Sequence, residues 1–125
     1  MIIVGAGHLG QALANYTNFQ KRGFILKGIF DINPERIGKE AGGIKILPMT
    51  EMKTLVKKEK IRLAAICIPK SEAIKDVDDL ISYGIEGIWN FAHIDLDVPK
   101  HVVIENVHLS ESLMRLSYRL FEELK

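Results

Sequence analysis

A single cysteine, Cys67, stands in the 125-residue chain, which excludes an internal disulfide and any cysteine-rich metal site. Formal net charge is only +1, so there is no excess positive field of the kind that draws nucleic acid or an anionic membrane. The longest uninterrupted apolar stretch inside the chain, Leu63 to Ile68, is far too short to span a bilayer. Met1 leads straight into Ile2-Ile3-Val4 and a glycine turn, so no signal peptide is expected, and the cytoplasm is the expected location. The four histidines, His8, His93, His101 and His108, form no metal-ligand spacing such as H-E-x-x-H. Nor is there a second domain to set a general acid or base beside a cofactor, so an enzyme is not expected. What is present is ordinary for a globular domain: 47% hydrophobic and 26% charged residues, in a length that fits one domain.

Apolar and β-branched runs alternate with amphipathic stretches. Ile2–Val4 predicts a first strand, and Leu9, Ala12, Leu13 and Tyr16 recur at i, i+3, i+4, i+7 to predict a helix. Phe24–Phe30 predicts a second strand. Asn33 then predicts a cap for a short helix, with Pro34 at its first position. Gly42-Gly43 breaks that helix, Ile44–Leu47 predicts a third strand, and Thr50 predicts the cap of a helix to about Lys58. The continuous apolar run Leu63–Ile68 predicts a central parallel strand buried on both faces. A helix to about Tyr83 follows Pro69-Lys70-Ser71, then strands at Glu86–Phe91 and His101–Glu105. The tail from Ser110 predicts a helix, with Leu109, Leu113, Leu116, Leu120 and Leu124 along one side. The alternation predicts an α/β fold, a Rossmann-like doubly wound parallel sheet with a C-terminal helix. The expected division is 1–108 for the Rossmann domain and 109–125 for that helix.

Gly5, Gly7 and Gly10 form G-x-G-x-x-G between the first strand and the first helix. In such a turn the first glycine permits the tight exit from the strand, the second admits a pyrophosphate close to the backbone, and the third lets the helix pack on the sheet. Asp31, at the tip of the second strand, stands at the distance expected for a carboxylate accepting from an adenosine ribose. It would repel the extra phosphate of NADP, so NAD(H) is the preferred ligand; the alternative makes Asp31 only a turn residue. Ligands on such sheets lie over the carboxyl ends of the strands, where strand order reverses. The candidates are therefore Gly5, Ala6, Gly7, His8 and Leu9, with Asp31, Ile68, Pro69, Asn90 and Phe91. Asn90 either bonds an amide such as nicotinamide's or holds its own loop, and Tyr16 faces either core or ligand, spacing favouring core. His8 is expected to be exposed, and Cys67 to behave as a small buried hydrophobe without a redox role.

The segments "VGAGHLGQALANY" (4–16), "FDINPERIGKEAGGI" (30–44), "GIEGIWNFA" (84–92) and "VPKHVVIENVHL" (98–109) together resemble the NAD(H)-binding domain of the Rex redox-sensing transcriptional repressors. The wider superfamily includes CoA-binding domains. The resemblance implies a Rossmann domain that binds NADH in preference to NAD⁺ and serves as a redox sensor, not a catalyst. It implies that Gly5, Gly7, Gly10 and Asp31 hold the adenosine diphosphate half, with Tyr16, Pro69, Asn90 and Phe91 near the nicotinamide. It also implies a homodimer built through the C-terminal helix, and operator DNA bound only by an N-terminal winged-helix domain. That domain is expected to be missing here, most simply because the chain is an excised part of a longer repressor. Three positions depart from the family's pattern: His108 stands where an aspartate is common, and Ile68 and His93 replace a frequent threonine and proline. The alternatives are a CoA- or nucleotide-binding module and a small NAD-dependent oxidoreductase.

Overall fold

The computed structural model describes residues 1–16, 18–108, 113 and 115–120. Six parallel strands form one sheet: β1 (Ile2–Val4), β2 (Gly28–Asp31), β4 (Ile44–Pro48), β5 (Leu63–Ile66), β6 (Gly87–Asn90) and β7 (Val103–Asn106). A short antiparallel strand β3 (Glu40–Ala41) adds an edge, and the order is β3-β4-β2-β1-β5-β6-β7. Strand order thus reverses between β1 and β5. The register is level across the middle, with Val4 beside Phe30 and Ile66, and Ile66 beside Asn90. Every candidate at a strand end therefore lies along one edge.

Alternation in β1 sends Ile2 and Val4 to one face and Ile3 to the other, all fully buried. On the first face they meet Met52 and Val56 of α3 (Met52–Lys58) and Ala73, Val77 and Leu80 of α4 (Lys70–Ser82). On the second, Ile3, Ile29 and Ala65 are covered by Leu9 and Leu13 of α1 (His8–Ala14). That cover is uneven. Over β5, β6 and β7 the second face carries a groove of about 320 Å³ lined by Phe19, Phe24, Leu63, Trp89 and Val103. Phe19 belongs to a single turn of helix, α2 (Asn18–Lys21).

The expected α/β architecture is the one observed, with local differences. Strand β2 begins at Gly28, because its pairing starts opposite Ile2; Phe24 and Ile25 before it stay exposed. No helix follows Asn33, whose side-chain oxygen accepts the Glu35 N–H at 2.9 Å in a turn. Gly42 and Gly43, both at positive φ, form the two-residue turn of the β3–β4 hairpin rather than a helix stop. Thr50 makes no cap: a 3₁₀ turn at Met49–Glu51 leads into α3. The hairpin is pinned to the end of α1, since Asn15 Oδ1 accepts the Gly42 N–H at 3.0 Å and a Cβ on Gly42 would overlap the Ala14 carbonyl. In the tail, 113 and 115–120 are helical with Leu113, Leu116 and Leu120 exposed; Leu109 and Leu124 lie outside the described residues. Among the described residues no helix is long and apolar enough to cross a membrane.

Candidate functional site

The glycine loop leaves β1 at the point of strand reversal. Gly5 has φ +103°, and a Cβ there would stand 2.5 Å from the Cys67 carbonyl oxygen of the neighbouring strand exit. A Cβ on Gly10 would overlap the Gly5 carbonyl, so this glycine seats α1 against the loop that precedes it. Gly7 differs from both. Its φ of −71° suits any residue, and a Cβ would meet nothing nearer than the Arg36 guanidinium at 4.0 Å. Among the described residues nothing demands a glycine at 7. The space above it is open and borders a cation, which suits it to the linked phosphates of a dinucleotide or of CoA.

Asp31 ends β2 and closes the same loop from the side. It is 7% exposed, and both oxygens are engaged. Oδ1 accepts the N–H groups of Ile32 (2.7 Å) and Asn33 (2.9 Å); Oδ2 accepts the Ala6 N–H (2.8 Å) and the Arg36 guanidinium (3.3 Å). A carboxylate offers about four lone-pair places, so all are filled. Burial pushes its pKa up, but the bonds from Asn33, Ala6, Arg36 and Ile32 outweigh this and hold it below the usual carboxylate value. Ala6 itself is fully buried, and its carbonyl accepts from the Gln11 side chain at 2.8 Å, which fixes the loop on α1. No sequence motif marks Arg36 or Gln11; the one signal for Arg36 is its spacing after Asp31, on the turn beyond Pro34.

On the other side of the reversal, Ile68 packs against the core, its Cγ2 falling 2.9 Å from the position a Gly5 Cβ would take. Pro69 caps α4. Asn90 is 2% exposed and does what the second reading of it required: Oδ1 accepts the Ala92 N–H at 3.0 Å, while Nδ2 donates to the Ile94 carbonyl and Asn106 Oδ1, both at 2.9 Å. Phe91 is buried edge-on against Trp89, centroids 4.8 Å apart. The Tyr16 ring, expected by spacing in the core, is 52% exposed instead because α1 stops at Ala14. It joins an aromatic chain through Phe19 and Trp89 to Phe91. Leu9 packs under the loop and His8 is exposed at the start of α1. Burial pushes the Cys67 thiol up to about 12, so it stays protonated and unreactive at neutral pH. His93 and His108, two of the three departures, face each other with ring centroids 6.0 Å apart. Among the described residues no group of three or more metal-ligating side chains forms.

Fold and site together define a Rossmann-type α/β domain with a glycine-rich loop at the switch point of its sheet. The chain belongs to the CoA binding domain family, whose model matches residues 1–94. It is 51% identical over 122 residues to the redox-sensing transcriptional repressor Rex of Thermoanaerobacter sp. (strain X514), covering 98% of this chain and 54% of that protein. The solved structure of RSP, a Rex-family repressor, in complex with β-NADH superposes with a TM-score of 0.90 at 49% identity, covering 99% of this chain and 62% of the other. The same repressor with β-NAD⁺ and operator DNA gives 0.89 at 51% identity, covering 98% and 56%. The chain spans about half the length of the curated relatives it matches.

Proposed function

We propose that this chain is the NAD(H)-binding, redox-sensing half of a Rex-type transcriptional repressor, in the cytoplasm. The observation that carries the reading is the bare backbone at Gly7, open space at the switch point of a chain half identical to a repressor solved with NADH. Gly5, Ala6, Gly7, His8, Leu9 and Gly10 would hold the diphosphate and Asp31 the adenosine ribose. Ile68, Pro69, Asn90, Phe91 and Tyr16 would border the nicotinamide. Reduced nicotinamide is neutral and suits a border of Ile68, Pro69 and Phe91. The oxidised ring carries a positive charge whose desolvation there costs free energy unless paired. That difference senses redox state without chemistry, so the chain is read as a non-enzyme. Cys67, its thiol pushed up to about 12 by burial, is read here as a small hydrophobe and not as the redox group.

Operator DNA would be bound by a part of the full protein other than these residues. The half-covered sheet face supports a homodimer: its groove is apolar, and the helix at 115–120 presents exposed Leu116 and Leu120 that a second copy could bury there. In this reading 1–108 is the sensing domain and 109–125 the dimerising helix.

A second reading, a CoA-binding module, is favoured by the family model itself. Calorimetry with NADH, NAD⁺, NADPH and CoA decides between them. Tightest binding of NADH is expected; binding of CoA alone would overturn the proposal.

A further inference from the structure

We infer that Arg36 is a specificity-determining residue of this site, a guanidinium that transfers from Asp31 to the linked phosphates of the ligand and leaves its acceptor place to a ribose hydroxyl. The inference rests on the nucleotide-binding reading above and names a residue with which that site selects its ligand. Three of the four bonds that fill Asp31 come from backbone N–H groups fixed by the fold, those of Ala6, Ile32 and Asn33. The fourth, from Arg36, is the longest at 3.3 Å and comes from a side chain 42% exposed. A half-exposed ion pair is worth little and is the cheapest of the four to give up. A ribose hydroxyl therefore has one place on Asp31 open to it, the Oδ2 position that Arg36 holds.

The guanidinium has somewhere to go. It already lies 4.0 Å from where a Gly7 Cβ would stand, on the edge of the space that suits a diphosphate. Its planar fork of donors matches phosphate oxygens better than a single carboxylate oxygen already shared with Ala6. The move also keeps charge balanced, because a diphosphate bound without it would face the Asp31 carboxylate across the loop. Both halves of the exchange are needed together. The ligand class selected is one that carries a ribose and a diphosphate in the same molecule, and neither piece alone satisfies both groups.

The test is titration of the wild type, Arg36→Ala and Arg36→Lys with NADH, ADP-ribose and adenosine at two salt concentrations, with circular dichroism to check folding. Arg36→Ala is expected to weaken NADH and ADP-ribose by about ten- to a hundredfold and to flatten their salt dependence. Adenosine, without phosphates, should bind the variant as well as the wild type or better, and Arg36→Lys should recover part of the ADP-ribose affinity. Two results overturn the inference. One is an ADP-ribose affinity changed by less than about threefold. The other is an adenosine affinity weakened as much as that of ADP-ribose, the mark of a purely structural role. A folded wild type that binds neither NADH nor ADP-ribose would instead refute the nucleotide-binding reading itself, and this inference with it.

Discussion

Replacing Asp31 by asparagine separates the carboxylate's structural work from its binding work. The amide oxygen can keep the turn bonds to Ile32 and Asn33, but its NH₂ group then faces the Ala6 N–H and Arg36. Ala6 is fully buried, and a buried N–H left without an acceptor costs about 1–3 kcal/mol. The half-exposed Arg36 pairing adds only about 0–1 kcal/mol. Urea unfolding at neutral pH should therefore show Asp31→Asn less stable by about 1–4 kcal/mol. The pH dependence fixes the sign independently. The Asp31 pKa is lowered in the folded protein, so its contribution is complete above the unfolded value of about 3.9 and is lost as pH falls through the folded value. Asparagine has no such loss, and the gap between the two proteins should narrow below about pH 4. Equal urea midpoints at neutral pH, or a gap that stays constant into acid, would refute the account of how Asp31 holds the loop.

Gly7→Ala should leave the urea midpoint nearly unchanged, since a Cβ there meets open space, yet weaken NADH binding tenfold or more, by about 1.4 kcal/mol at least. Gly10→Ala should instead fail on stability, because its Cβ overlaps the Gly5 carbonyl. Cys67 should resist a thiol-specific reagent at neutral pH and react fully once the protein is unfolded in urea. Leu116→Glu places a charge on an exposed position; sedimentation should show the dimer lost while the circular dichroism of the monomer is kept. A wild type that sediments as a monomer at all concentrations would reject the dimer.

The α/β class was legible because apolar runs such as β1 and β5 alternate with amphipathic stretches, whereas the strand order comes from pairings far apart in the chain. Boundaries were less so. Phe24 and Ile25 look like strand residues, but pairing depends on where Met1 and Ile2 lie, which no local pattern records. The Gly42-Gly43 pair carries the same signal for a helix stop and for a tight hairpin; only a partner strand of two residues decides between them. At the site, the glycine spacing and Asp31 could be read directly. That Asn90 spends both amide hydrogens on Ile94 and Asn106, and that Arg36 reaches the loop, depends on side-chain paths across turns.

Helix α1 is wedged at both ends, at its start by the contact of Gly10 with the Gly5 carbonyl and at its finish by Gly42 and the Asn15 clasp. Those two close contacts set its position against the sheet at both ends. A larger residue at either 10 or 42 would therefore lever this helix away from the strands, and the glycine turn that runs into it would lose its seat as well.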